Sequence, residues 1–280
     1  MDTTSTPAAS APAPVLTPEM LAAVHAPGPD PLVDEGTVRF AGGGETLWAR
    51  FAQPEGNAPI ASVLLVQGWT GSIQNYEIAL GRELARNGFA TMAFDLPGHG
   101  RSSGSRDDLP CLSFVEATAA AYDVLADKAP ETDIFVVGMS FGGYLVSRLL
   151  QHRPVAGAAL LVPANYPDGD DRTMTAVTLT PEAQQWRGQT LPSGSTAAMR
   201  ALSTYVRPLL VLQASRDDLI PPQTVDNLIR DVPVHQVSRF MIQDAPHLLY
   251  TDRRALAATN DVLMTWLRER SGVLRPVPAS

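Results

Sequence analysis

Ser140 lies in "IFVVGMSFGGYL" (134–145), flanked by Gly138 and Gly142 as Gly-x-Ser-x-Gly, after four apolar residues and before an apolar helical pattern. A serine hydroxyl attacks a carbonyl only when a base takes its proton and a third group orients that base. Histidines stand at positions 25, 99, 152, 235 and 247. His247 follows the last apolar run, in "MIQDAPHLLY", and precedes the final helical pattern, where a loop can return the imidazole over neighbouring elements. His235 lies before that run, at the opposite edge, and is expected at the surface. For the acid, "LLVLQASRDDLIPP" (209–222) offers Asp217 and Asp218. Either could bond His247 Nδ1–H and so present the other ring nitrogen to Ser140. An oxyanion would need two N–H donors: Phe141, directly after the serine, and Trp69 in "VQGWTGS", where Gly68 permits an unusual backbone.

These residues need a frame, and the hydropathy pattern supplies one. "GTVRFAGGGETLWARFAQPEG" (36–56) alternates around a glycine cluster and predicts a β-hairpin. Buried strands are then expected at 61–68, 89–98, 133–140, 155–164, 208–215 and 237–245. Helices are expected between or after them at 76–88, 114–129, 141–153, 222–231 and 254–270. Continuous apolar strands alternating with helices imply an α/β protein, a mostly parallel twisted sheet with helices on both faces. Residues 165–205 break this rhythm with polar sequence and two amphipathic pieces, "TPEAQQWRG" and "TAAMRALSTYV". They are expected to form a short lid insertion over the carboxyl edge of the sheet, where such folds bind ligands.

Composition narrows the function. The 280 residues carry a formal net charge of -8, which argues against nucleic acid as a partner. A single cysteine, Cys111, leaves no disulfide framework or multi-cysteine metal site, and it is expected as a buried or half-buried small apolar residue. Residues 1–31, rich in Ala and Pro, read as a flexible leader that includes one short helical stretch, "TPEMLAAVH" (17–25). Residues 32–272 then form the main domain and 273–280 a tail. No run has the length of a membrane span, so stable membrane insertion is not expected and a cytoplasmic location is. Lys128 is the sole lysine among many arginines, as in proteins from GC-rich bacterial genomes. "PDGDDR" (167–172) lacks a calcium-loop spacing and reads as a solvated loop, and His99, between two glycines, as a brace for its turn.

Several motifs in register resemble the α/β-hydrolase superfamily over residues 36–272, in the branch of serine aminopeptidases, monoacylglycerol lipases and cinnamoyl-type esterases. "VQGWTGS" resembles that branch's oxyanion loop, "FDLPGHGRSSG" (94–104) its turn after the fourth strand, "GMSFGG" its nucleophile elbow and "SRDDLIPP" its acid loop. The resemblance implies the α/β-hydrolase fold and a triad of Ser140, Asp217 and His247. It chooses Asp217 because the acid of that pattern stands four residues before the first proline. It also implies oxyanion donors at Trp69 and Phe141 and no cofactor or metal. Where the branch commonly has His-Gly, this chain has Gln67-Gly68, and the Gln67 carboxamide can still hold the loop. The expected activity is hydrolysis of a small-molecule carboxylic ester through an acyl-enzyme on Ser140. The alternatives are thioester hydrolysis or acyl transfer in a biosynthetic pathway and, from another class, a ligand-binding member of the fold without activity. Met174, Trp186 and Tyr205 are the candidate substrate-pocket residues.

Overall fold

A computed structural model describes residues 32–69, 71–73, 76–174 and 180–272. The leader, with its short helical stretch at 17–25, and the tail at 273–280 lie outside the described residues. Among the described residues eight strands form one sheet in the order β1-β2-β4-β3-β5-β6-β7-β8, with β6 at Gly157–Leu161, β7 at Leu209–Arg216 and β8 at Val237–Pro246. β1 (Val33–Gly42) and β2 (Glu45–Pro54) make the expected hairpin, in register from Val33↔Pro54 to Gly42↔Glu45. Its two-residue turn places Gly43 and Gly44 at φ of 61° and 82°, the left-handed pair that such a tight hairpin demands. β2 runs antiparallel to β4 (Phe89–Phe94), and every later pairing is parallel.

The central strands β3 (Ala61–Val66) and β5 (Ile134–Met139) are buried along their whole length. Alternation sends Leu64, Val66 and Val136 into one apolar cluster and Val63, Leu65, Phe135 and Val137 into the other. The first cluster is closed by α2 (Cys111–Lys128) and α3 (Phe141–Leu149), the second by α1 (Glu77–Arg86) and α7 (Arg253–Arg270). Two lid helices, α4 (Pro181–Arg187) and α5 (Ala197–Thr204), occupy the two amphipathic pieces. The hydroxyls of Thr180 and Thr196 cap them, accepting from Ala183 N and Met199 N. Helix α6 (Pro222–Ile229) starts on the second of two prolines, where its missing N–H is no loss. Among the described residues no helix is long and apolar enough to cross a membrane.

Most strands are shorter than their apolar runs, because the last residues of each run leave the sheet to build loops at its carboxyl edge. α2 starts three residues earlier than the pattern predicts, on Cys111 after the extended Pro110. "PDGDDR" is not a freely solvated loop. Asp170 pairs with the buried Arg148 through two bonds of 2.8 and 3.0 Å, and that guanidinium holds its carboxyl below the usual range. Asp168 accepts from Ala197 N and Arg200, both at 2.7 Å, so the two carboxylates pin the base of the lid.

Glu77, the first residue of α1, is buried. Burial, with Asp95 adding its charge, raises its carboxyl from 4.5 to about 8. The folded protein keeps a proton that the unfolded chain releases. Its stabilising contribution is therefore complete below the unfolded value and lost as pH rises toward 8. Glu77→Gln is expected to flatten that loss, and its melting-temperature advantage over wild type should widen from about pH 5 to about pH 8. Thermal unfolding of both proteins across that range checks it.

Candidate active site

Strand β5 delivers Ser140 to a turn so tight that its backbone adopts φ 54° and ψ -114°. Such a conformation costs a non-glycine residue about 1–3 kcal/mol and persists only where the surroundings over-determine it. Here they do: Ser140 N donates to Leu161 O at 2.9 Å, and Ser140 O accepts from Gly143 N and Ala164 N, both at 3.0 Å. The flanking glycines are required by close approach. A Cβ on Gly138 would lie 2.3 Å from Gly142 O, and one on Gly142 would lie 2.2 Å from Val66 O. Gly142→Ala is therefore expected to destabilise the fold by about 3 kcal/mol, at the upper end of overpacking costs because backbone, not a flexible side chain, must yield. Denaturant unfolding midpoints measure this.

The structure brings together three side chains from three loops at the carboxyl edge. Ser140 Oγ–H donates to His247 Nε2 at 2.9 Å, and His247 Nδ1–H donates to Asp217 Oδ2 at 2.8 Å. The His247 and Asp217 side chains are 5% and 7% exposed, so the relay is shielded from competing water. Asp217 Oδ1 accepts from Leu219 N at 3.0 Å and Ile220 N at 2.8 Å, which aims its other oxygen at the imidazole. Asp218 is exposed and outside the relay. Arg216 Nε donates to Asp244 O at 3.0 Å, tying the loop that carries Asp217 to β8 (Val237–Pro246), the strand that leads into His247.

Gly68 lies against the serine, and a Cβ there would meet Ser140 Cβ at 3.6 Å. Among the described residues neither Trp69 N–H nor Phe141 N–H donates to another protein group. The Trp69 ring packs edge-on against Phe141, Phe114 and His99, with centroids 5.2, 5.6 and 5.5 Å away. His99 braces its own turn, Nδ1 facing Pro97 O at 2.8 Å, and also reaches the loop that carries Trp69, Nε2 facing Trp69 O at 2.7 Å. Asp95 braces the same loop, accepting from Ile73 N at 3.1 Å and from Arg101 N at 3.0 Å. Cys111 is buried 3.5 Å from Tyr144 Oη, and burial pushes its thiol up.

A cavity of about 340 Å³ opens on Ser140 and His247. Met174, Trp186 and Tyr205 do not line it. Met174 is fully buried in the core, and Tyr205 turns its hydroxyl to Val155 O at 3.3 Å. Trp186 shares α4 with Gln184 and Arg187, which do line the cavity, and helical periodicity turns it toward the core instead. Tyr166, Leu219, Ile220 and Leu248 complete much of the wall. The signal for Gln184 and Arg187 was their i, i+3 spacing on one face of α4, whereas Tyr166 stood in irregular sequence without one.

This sheet order, with a strained serine between strand and helix at the carboxyl edge, defines an α/β hydrolase. The family model described as "Serine aminopeptidase, S33" matches residues 57–200, just over half of the chain, and the chain belongs to that family of hydrolases. An uncharacterized abhydrolase domain-containing protein of Dictyostelium discoideum is 39% identical over 103 residues, 36% of this chain and 10% of that protein. The pimeloyl-[acyl-carrier protein] methyl ester esterase of Proteus mirabilis is 30% identical over 105 residues, 38% of this chain and 36% of that protein. The chain thus spans about a tenth and about a third of the lengths of these relatives. Among solved structures, ferulic acid-bound Est1E from Butyrivibrio proteoclasticus shares the fold at a TM-score of 0.65 and 18% identity, covering 83% of this chain and 98% of that one. An α-β serine hydrolase homologue from Coxiella burnetii does so at 0.62 and 17%, covering 83% and 97%.

Proposed function

We propose that this hydrolase cleaves carboxylic esters through an acyl-enzyme on Ser140. The observation that carries the reading is the buried relay from Asp217 through His247 to Ser140, bonded at 2.8 and 2.9 Å beside a largely apolar cavity. In this mechanism His247 Nε2 takes the hydroxyl proton as Ser140 Oγ attacks the carbonyl carbon. Asp217 stabilises the imidazolium that forms. The N–H groups of Trp69 and Phe141 hold the oxyanion, with the start of α3 contributing its positive end. Collapse of the tetrahedral intermediate expels the alkoxide, which leaves with the proton from His247. Water repeats the sequence and frees the acid.

Esters are favoured over peptides with a free amino terminus because no acidic side chain lines the cavity among the described residues. Of Asp168, Asp170 and Asp171, the candidates for an amine anchor in the lid, Asp168 is engaged with Arg200 and Asp170 with Arg148. The methyl ester esterase activity of the Proteus mirabilis relative accords with this preference. The test is intact mass after incubation with a serine-reactive fluorophosphonate, followed by turnover of p-nitrophenyl esters of rising acyl length. One added phosphonyl group together with turnover is the expected result. Neither labelling nor turnover would overturn the reading.

A further inference from the structure

We propose that Arg187 makes the cavity selective for esters that carry a second, non-reacting carboxylate, which its guanidinium binds while Ser140 attacks the ester. This assignment rests on the ester-hydrolase reading and adds the class of substrate. Arg187 contributes the one guanidinium or ammonium group among the described residues lining the cavity. Much of the remaining wall is apolar: Trp69, Met139, Leu219, Ile220 and Leu248.

Arg187 is 5% exposed, so bulk water screens its charge weakly. A guanidinium in such a setting gains most from a planar anion that can accept two parallel hydrogen bonds. An ammonium-bearing substrate would instead be repelled.

The group is also held in place. Its guanidinium carbon lies 5.2 Å from the centroid of the Tyr166 ring, another cavity wall. Gln184, one helical turn earlier, lines the same cavity and can add an amide N–H donor. The end of α4 is tied to the body of the protein by Thr224 Oγ1, which donates to Arg187 O at 3.1 Å. A cation so fixed is pre-organised to discriminate, because little side-chain freedom is lost when the anion arrives.

Two pairs of esters test the assignment. The mono-p-nitrophenyl ester of adipic acid is compared with p-nitrophenyl hexanoate, and 4-carboxyphenyl hexanoate with phenyl hexanoate. Wild type is expected to prefer the carboxylate member of at least one pair. Arg187→Met should lose about tenfold or more kcat/KM on that member beyond its loss on the neutral one, chiefly through KM. Arg187→Lys should recover part of the difference. Equal losses on both members, or no carboxylate preference in wild type, would overturn the assignment. A second arm needs no turnover: calorimetric titration of Ser140→Ala with monomethyl adipate and with 4-carboxyphenyl hexanoate. Binding of either that disappears in Ser140→Ala/Arg187→Met supports the assignment even if the fluorophosphonate experiment rejects hydrolysis. Equal binding to both proteins, or none to either, counts against it whatever the outcome of labelling.

Discussion

Ser140→Ala is expected to lower kcat for an activated ester by about 10⁵- to 10⁶-fold, since removing the nucleophile of such a relay costs nearly as much as removing the whole relay. The same substitution should abolish fluorophosphonate labelling and leave the fold intact. Among the described residues the hydroxyl makes one hydrogen bond, to His247 Nε2. Its loss leaves a single acceptor unmet beside an open cavity. The strain at φ 54° belongs to the backbone and is shared by alanine, so the melting temperature should stay within a few degrees of wild type. Burst kinetics with p-nitrophenyl hexanoate would separate the two half-reactions in the wild type. Full retention of turnover by Ser140→Ala would remove the acyl-enzyme from the mechanism.

Asp217→Asn should lower kcat by about 10⁴-fold, while Asp218→Asn should leave it within about twofold of wild type. The contrast follows from where each oxygen points. Asp217 Oδ1 accepts from two backbone N–H groups, of Leu219 and Ile220, and an asparagine keeps its carbonyl oxygen there. Its NH₂ then faces His247 Nδ1, which must accept instead of donate. The ring proton moves to Nε2, and the imidazole has no lone pair for the Ser140 hydroxyl. The loop stays folded and the chemistry stops. Asp218 is exposed and makes no contact with His247, so its replacement changes only surface charge. Parallel kcat measurements on the two variants decide between the adjacent acids.

The sheet, the hairpin and the order serine, acid, histidine were legible in the sequence because each rests on local pattern. Apolar runs bounded by glycine and proline mark strands, and Gly138 and Gly142 mark a turn that no larger residue fits. The choice of Asp217 over Asp218 was not legible from chemistry alone, since adjacent aspartates are equivalent until a backbone directs them. Closure of the relay depended on packing that brings Ser140 and His247, 107 positions apart, within 2.9 Å. The pocket was decided still further from the sequence. Met174, Trp186 and Tyr205 are large and apolar, and that character sent them to the core. The cavity wall was left to Arg187, Gln184 and Tyr166, whose placement follows from the rotation of one lid helix against the sheet. Hydrophobic pattern determines which residues are buried. Only the packed structure decides which buried residue faces protein and which faces the ligand.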